Sequence, residues 1–286
     1  MSPDSSVLNR IVLAALALSA MTGCYSPAKP LPPALNEAIS WSAEAEAAFR
    51  DGRHAAAQQG YKNALDLHIA AGNIPGVVRN LVNLAVVQHT SGQNAAARQS
   101  LTALDRHLTA NHSSLRLDSE TRALVAEAGW LKAHMCIDEG RLTEAQKEID
   151  RLGSSSGNAR LLNLRARLLL AQKQPAGALA SARKAWGVAK GDASELGDAA
   201  RYQARALEQL GQASEAARWY QTAVPIDQNA FRTHLVADDW LGLARTTHQT
   251  GSTEQARHFA RLALDAAKRA GDSSRQREAQ TLLRTP

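Results

Sequence analysis

The sequence predicts an all-α protein built from repeated helix pairs. Aromatic residues make up only 4% of the chain, and the alternation of Val, Ile and Thr that would indicate strands is hard to find. Short segments with a turn glycine between two helical stretches recur, as in FRDGRHAAAQQGYKNAL and IDEGRLTEAQKEI. Alanine also returns at fixed distances from these turns, which indicates repeated packing of similar units.

Residues 1–23 are predicted to be an export signal. Arg10 precedes an apolar stretch at residues 11–21, which spans about 16 Å as a helix and is too short to cross a bilayer. Small residues then lead directly to Cys24, an arrangement that resembles the signal of bacterial lipoproteins. The resemblance implies a lipid on the Cys24 sulfur and, because Tyr25 and not Asp follows, a place in the outer membrane. A secreted protein with an incidental cysteine is the alternative.

Residues 24–37 are predicted to be the lipidated cysteine and a proline-rich tether. Four of the nine prolines of the chain lie in YSPAKPLPPAL. Such segments stay extended at about 3.1 Å per residue, so the tether would hold the following domain roughly 30 Å from the membrane. Once Cys24 carries lipid, Cys136 has no disulfide partner, and we expect it to be a small core residue.

Residues 38–271 are predicted to form six helix pairs. Their turn residues are Gly52, Gly92, Gly140, Lys173, Gly211 and Gly251. Alanine stands seven places before and five places after every turn. The twelve positions are Ala45, Ala57, Ala85, Ala97, Ala133, Ala145, Ala166, Ala178, Ala204, Ala216, Ala244 and Ala256. A methyl group at a helix crossing lets two helices approach closely, so these alanines are predicted to lie at the crossings.

The pattern resembles the tetratricopeptide repeat (TPR), a helix-turn-helix of nominally 34 residues. Trp41 and Trp240 occupy its opening place, and Tyr61, Leu101, Ile149 and Tyr220 fill its late bulky place. The resemblance implies a right-handed superhelical solenoid of about six TPR-like repeats. The third repeat departs from the pattern by opening at Gly129, and the fourth by having Lys173 at its turn. Residues 272–286 are predicted to be a C-terminal capping helix and tail, begun by Asp272 or Ser273.

Positive charge is concentrated in the C-terminal half of the chain. Residues 24–157 contain 13 basic and 14 acidic residues, and residues 158–286 contain 19 and 12. In the family, the first helix of each pair lines an inner groove, including the places six and ten before the turn. At this end of the predicted groove those places hold Asn163, Arg167, Arg201, Arg205 and Arg245, with Tyr202 beside them.

Guanidinium groups bind carboxylates and phosphates through two parallel hydrogen bonds. These six residues are therefore predicted to form a partner-binding groove that prefers anions. The alternative is that the arginines are solvated and paired with Asp198, Glu208 and Asp238.

Motifs that would indicate catalysis are lacking in the sequence. It has no glycine-rich phosphate loop, no C-x-x-C, no H-E-x-x-H and no nucleophile elbow. His107 and His112 are spaced for different helix faces, and Asp238 and Asp239 are expected in the first turn of a helix, where negative charge suits the helix dipole. We therefore predict no enzymatic activity, no cofactor and no metal.

The predicted function is that of a membrane-anchored periplasmic scaffold. It would bind partner proteins, including acidic segments, during envelope, pilus or secretion assembly. The alternative is a cell-wall-associated regulator or carrier that contacts anionic glycan or lipopolysaccharide and tunes a wall enzyme. Nucleic acid is not expected as a partner despite the pI of about 9.6, because an exported protein rarely meets it.

Overall fold

The computed structural model describes residues 31–110, 118–153 and 157–284. In these ranges the chain forms thirteen α-helices and no strand, as the sequence predicts. Cys24 and the predicted signal lie outside the described residues, as does His112. The helices are α1 (Pro33–Arg50), α2 (His54–Ala70), α3 (Ile74–Thr90), α4 (Asn94–Ala110), α5 (Ser119–Asp138), α6 (Leu142–Arg151), α7 (Ala159–Ala171), α8 (Pro175–Val188), α9 (Ala193–Gln209), α10 (Ala213–Asn229), α11 (Thr233–Gln249), α12 (Thr253–Ala270) and α13 (Ser273–Arg284).

The first helix begins inside the predicted tether. Pro33 opens α1, so residues 33–37 are helical and not part of an extended spacer. Proline suits this place because its fixed φ is already helical and the first helical N–H has no intrahelical partner. Ala38 is the first buried residue of the chain that the structure describes, and packing therefore starts where the repeat array was predicted to start.

Six helix pairs follow one another, and their turns lie where the sequence predicts them. The turn glycines Gly52, Gly92, Gly140, Gly211 and Gly251 all have positive φ, between 73° and 86°. Lys173 takes the same left-handed conformation at φ 60° in the fourth pair. Glycine is favoured in this region because it has no side chain to clash with the backbone. The repeat therefore persists at Lys173 although its usual residue is missing.

All twelve predicted alanines are buried, each with 6% or less of its surface exposed. In two places a glycine allows an even closer approach than alanine would. A Cβ atom on Gly60 would lie 2.9 Å from the Cβ of Ala45, and one on Gly242 would lie 2.2 Å from the Tyr220 ring. Small side chains at the crossings are thus what lets adjacent helices pack, because larger ones would hold them apart.

The chain divides into two compact units, Met1–Met135 and Cys136–Pro286. In the described part of the first unit, α1 packs on α2, α2 on α3, and α3 on α4. One apolar cluster joins Val77 and Leu81 of α3 to Leu104 of α4 and Met135 of α5. The buried side chain of Asn80 in this unit is paired, since it accepts from Ser42 Oγ at 3.0 Å and donates to the Gly76 carbonyl at 2.8 Å.

In the second unit each helix from α6 to α13 packs against the next one along the chain. The first helices of successive pairs, α7, α9 and α11, also contact each other, and α11 contacts α13. We call α7, α9, α11 and α13 the A layer, and the second helices α8, α10 and α12 the B layer. The predicted capping helix is present as α13, and Asp272 caps it by accepting from Arg275 N at 2.9 Å.

Cys136, the first residue of this unit, is 5% exposed, as expected of a small core residue. Burial raises the pKa of its thiol, so the group is un-ionised at neutral pH.

Candidate partner-binding surface

The six predicted groove residues all lie on the A layer. Asn163 and Arg167 are on α7; Arg201, Tyr202 and Arg205 are on α9; and Arg245 is on α11. Residues four apart share one face of a helix, which explains why the places six and ten before the turn recur on one side.

Three of these residues form an exposed row. Arg167, Arg205 and Arg245 are 25%, 37% and 33% exposed. Each is held by a carboxylate of a neighbouring pair: Arg205 Nη2 donates to Asp238 Oδ2 at 2.8 Å, and Arg245 Nε donates to Glu208 Oε1 at 2.8 Å. The arginines therefore project from fixed positions.

Asp238 and Glu208 lie deeper than the guanidinium groups that they hold, whereas Asp138, the partner of Arg167, is 49% exposed. Asp238 and Glu208 are 15% and 16% exposed, about half as much as Arg205 and Arg245. Arg275 of α13 joins the row, because its Nε donates to the other oxygen of Asp238 at 2.6 Å. A guanidinium group fixed from below in this way loses little entropy when its outward N–H groups bind another anion.

The alternative interpretation of the arginines is correct about their partners. Asp198, Glu208 and Asp238 all pair with arginine. Helical spacing explains only the pair of Arg201 with Asp198, since the partners of Arg205 and Arg245 lie on other helices, more than 30 residues away. The first-turn interpretation of Asp238 and Asp239 is wrong: α11 starts at Thr233, and both residues face arginines of α9.

The other three predicted residues are largely buried. Arg201 and Asn163 are 2% and 3% exposed, and Tyr202 is 8% exposed. Asn163 Nδ2 donates to the Glu195 carbonyl and to Glu195 Oε2, both at 2.9 Å. Sequence spacing places these residues on the right face, but the next pair covers that part of it. In this structure they support the exposed row and do not offer a contact surface of their own.

Arg201 is the centre of a buried charge cluster. Its Nε donates to Asp239 Oδ1 and its Nη1 to Asp198 Oδ1, both at 2.8 Å, and its Nη2 donates to Asp227. Arg232 donates to Asp198 and lies 3.4 Å from Asp227 Oδ1. We call these five residues the buried cluster. It has three carboxylates and two guanidinium groups, and so carries one surplus negative charge when all are ionised.

Two of its members, Asp227 and Arg232, were not identified from the sequence. Asp227 is fully buried, and a Cβ atom on Gly197 would lie 2.2 Å from its Oδ1, so glycine makes room for this carboxylate. A sequence signal for Asp227 does exist, because it continues the buried stripe of Ala216, Tyr220 and Ala223 on α10. A charge in such a stripe requires a buried partner.

The carboxyl groups of the buried cluster differ in pKa. Burial raises the pKa of Asp239 to about 6; Arg201 opposes this rise, and the charge of Asp238 adds to it. Burial would also raise the pKa of Asp198, but the attraction of Arg232 and Arg201 outweighs that effect and lowers it below the usual range. Of these two carboxyl groups, Asp239 is thus the one that takes up a proton more readily.

The positive surplus is shared between the two layers. The A-layer helices α7, α9, α11 and α13 contain nine basic and six acidic residues, and the B-layer helices α8, α10 and α12 contain seven and four. Because each arginine of the row is paired with a carboxylate, its charge is compensated locally, and the sequence expectation that positive charge dominates the groove is met only in part.

Within the described ranges no group of three or more His, Cys, Asp or Glu residues could hold a metal ion.

The fold is that of TPR proteins. It is similar to a tetratricopeptide repeat protein from Parabacteroides merdae (TM-score 0.56, 14% identity, 86% of this chain and 93% of that one). It is also similar to PilF from Pseudomonas aeruginosa (0.53, 15%, 87% and 99%) and to a Rap protein in complex with Competence and Sporulation Factor (0.58, 9%, 86% and 70%). No family model and no curated protein sequence matches the chain.

These likenesses define the fold as that of TPR-like helical-repeat proteins. None of the helices that the structure describes is long and apolar enough to cross a membrane.

Proposed function

We propose that this protein is a scaffold that binds partner proteins at the A layer and is held at the outer membrane, on its periplasmic side, by a lipid on Cys24. It would act in envelope, pilus or secretion assembly and would not itself be an enzyme. The TPR-like fold supports the scaffold role, and one similar structure, that of the Rap protein, contains a bound factor. The anchor rests on the resemblance of residues 11–24 to a lipoprotein signal.

The observation that carries the proposed binding surface is the row of arginines held by carboxylates, with Asp238 and Glu208 lying deeper than Arg205 and Arg245. Arg205 uses one nitrogen, Nη2, for Asp238, so its Nε and Nη1 remain to donate to a ligand. The preferred ligand is an acidic segment of a partner protein, because carboxylates accept two parallel hydrogen bonds from such a group. Since the three arginines of the row are each paired with a carboxylate, affinity should depend on this geometry more than on long-range attraction.

The test is affinity capture from detergent-solubilised envelopes with the full-length chain. A triple variant with Arg167→Glu, Arg205→Glu and Arg245→Glu should lose the captured partner. The matched control makes the same charge change on the B layer with Arg183→Glu, Arg218→Glu and Arg261→Glu, and should retain it. Circular dichroism would verify that both variants are folded.

Equal capture by the two triple variants would refute the proposed surface. Labelled palmitate should enter the wild-type chain and not a Cys24→Ser variant, and the wild type alone should remain with outer membranes on fractionation. Labelling of neither chain would refute the anchor and leave the surface to be judged by the capture result.

A second candidate is a cell-wall-associated regulator or carrier that contacts anionic glycan or lipopolysaccharide. The basic B layer favours it, together with an open furrow of about 510 Å³ along α10 that Arg218 and Trp219 help to line. Trp219 packs edge-on against Trp186 of α8, with ring centroids 5.2 Å apart. Salt-sensitive binding to purified peptidoglycan would support this candidate, and salt-resistant recovery of one protein would support the scaffold.

A further inference from the structure

Phe231 has a strained backbone conformation and an exposed side chain, and neither stabilises the fold. It lies in the turn between α10 and α11 with φ 56°, in the left-handed region, where a bulky residue is strained. Its side chain is 83% exposed, the largest value among the exposed large hydrophobic residues of the described chain. The strain is therefore not offset by burial.

Glycine occupies the same place in equivalent turns. Gly72, between α2 and α3, has φ 64°, and Gly271, between α12 and α13, has φ 69°. The hydrogen bonding matches as well, because Phe231 N donates to the Gln228 carbonyl at 3.1 Å and Gly72 N donates to the Ile69 carbonyl at 3.0 Å. The turn thus forms without a side chain, and an exposed phenylalanine at a strained position points to an interaction.

Exposed cations lie at the same end of the second unit. Successive helices of the pairs run in opposite directions, so the turns that follow α8, α10 and α12 share one end. Lys190 stands in the first of these turns, and Lys268 and Arg269 precede the last. All three are exposed, and none forms an ion pair with a described residue. We call Lys190, Phe231, Lys268 and Arg269 the tip.

Two acidic residues near the tip, Asp192 and Asp272, are engaged in helix capping, and a third, Asp265, lies exposed on α12 one turn before Lys268 and Arg269. Asp192 Oδ1 accepts from Ser194 N at 3.1 Å and Glu195 N at 3.3 Å. Asp272 accepts from Arg275 N at 2.9 Å and also pairs with the Arg275 side chain. The tip therefore presents one protruding aromatic ring among three exposed cations that form no ion pair with a described residue.

We propose that the tip docks on an anionic lipid surface, with the Phe231 ring among the lipid headgroups and the three cations on their phosphates. Isolated aromatic residues flanked by lysine and arginine suit the membrane–water interface, where apolar and charged groups are both satisfied. A protein hot spot would more often have apolar neighbours that exclude water. The inference goes beyond the proposed anchor and does not depend on it, because a lipid surface can be supplied as vesicles.

Site-specific photocrosslinking tests the contact. The full-length chain would carry Phe231→benzoylphenylalanine, and the control would carry Leu210→benzoylphenylalanine, at an exposed turn residue between α9 and α10 at the opposite end. Each would be irradiated with phosphatidylcholine vesicles that do or do not contain phosphatidylglycerol. We expect lipid adducts at position 231 that require the anionic lipid and fall when Lys190, Lys268 and Arg269 are replaced by glutamate.

Absence of lipid adducts at position 231, or equal labelling at position 210, would overturn the proposal. The proposal would also be overturned if crosslinking in cell envelopes gave adducts with protein and none with lipid. The tip would then be a contact for a protein. Because vesicle labelling does not need a lipidated Cys24, failure of the anchor is seen separately in palmitate labelling.

The Phe231→Gly variant separates lipid binding from folding. Glycine adopts this turn without strain, so the melting temperature should be unchanged or higher. Flotation with phosphatidylglycerol-containing vesicles should weaken about tenfold, as expected for the loss of one partly buried aromatic side chain. A clear fall in melting temperature would mean that Phe231 serves the fold and would contradict the premise.

Discussion

Replacement of Asp239 by asparagine should change how the stability of the second unit depends on pH. Asp239 is fully buried, and its Oδ1 accepts from Arg201 Nε at 2.8 Å. Its pKa in the folded protein is about 6, against an ordinary value of 3.8. Between these two values the folded protein holds a proton that the unfolded chain has released, so the free energy of unfolding should fall as pH rises from about 4 to 7.

The size of the effect follows from the pKa difference. A rise from 3.8 to about 6 corresponds to at most about 3 kcal/mol, lost progressively as pH rises through this window. Asparagine cannot ionise and keeps a carbonyl oxygen for Arg201 Nε. The stability of Asp239→Asn relative to wild type should therefore improve by up to about 3 kcal/mol between pH 4 and pH 7.

Unfolding by denaturant, followed by circular dichroism at several pH values, measures this difference. The variant must be compared with the wild type at each pH, because His68 makes the free energy of unfolding rise with pH in the same window. The pKa of His68 is lowered by burial and by the charge of Arg79. Hydrogen exchange of amides in α9 and α11 would assign the change to the second unit.

The matched control is Asp238→Asn, the neighbouring residue on α11. Burial would raise the pKa of Asp238, but its hydrogen bond from Arg275 and the charge of Arg205 outweigh that effect and lower it. Its stabilising contribution is thus present above its ordinary pKa and is lost only in stronger acid. Asp238→Asn should lose stability throughout pH 5 to pH 7, with only a small slope in the direction expected for Asp239→Asn, because the charge of Asp238 adds to the rise in the Asp239 pKa. A flat difference for Asp239→Asn, or one that slopes the other way, would refute the reasoning.

Three further predictions concern packing and turns. Ala97→Leu, at a fully buried crossing, should lower the free energy of unfolding by about 1–3 kcal/mol because the core is overpacked, as measured by denaturant titration. Gly242→Ala should cost a similar amount, since the new Cβ would lie 2.2 Å from the Tyr220 ring, whose hydroxyl donates to Glu208 at 2.7 Å; a gain in stability, as expected from helix propensity alone, would contradict this. Lys173→Gly should raise stability by roughly 0.5–1 kcal/mol, because glycine relieves the positive φ; an unchanged denaturation midpoint would show that the turn is not strained.

The helix pairs could be predicted from the sequence because their signals are local. A turn glycine and the alanines at fixed distances from it lie within one pair, so the sequence of each repeat is enough to predict its own helices and turn. The same signals identified the pair at Lys173, where Ala166 and Ala178 stand at the expected distances although the turn glycine is missing. Short-range periodicity therefore determined the helices, the turns and the buried alanines.

The charged groups could not be assigned in the same way. Arg201 and Arg205 stand four residues apart on one helix, and the sequence treats them alike, yet one is 2% exposed and the other 37%. Their difference arises from carboxylates of α10 and of α11 in the next pair, contributed by residues 26 to 38 positions away. No local pattern contains that information.

The amino-acid sequence by itself thus determined an all-helical array of six pairs with a cap, since each pair forms from contacts within about 40 residues. Only the tertiary structure decided which arginines face solvent and which are buried with aspartates, because burial of a charge depends on how successive pairs stack. It also placed Phe231 at an exposed turn with a strained backbone, whereas in the sequence Phe231 is an ordinary apolar residue.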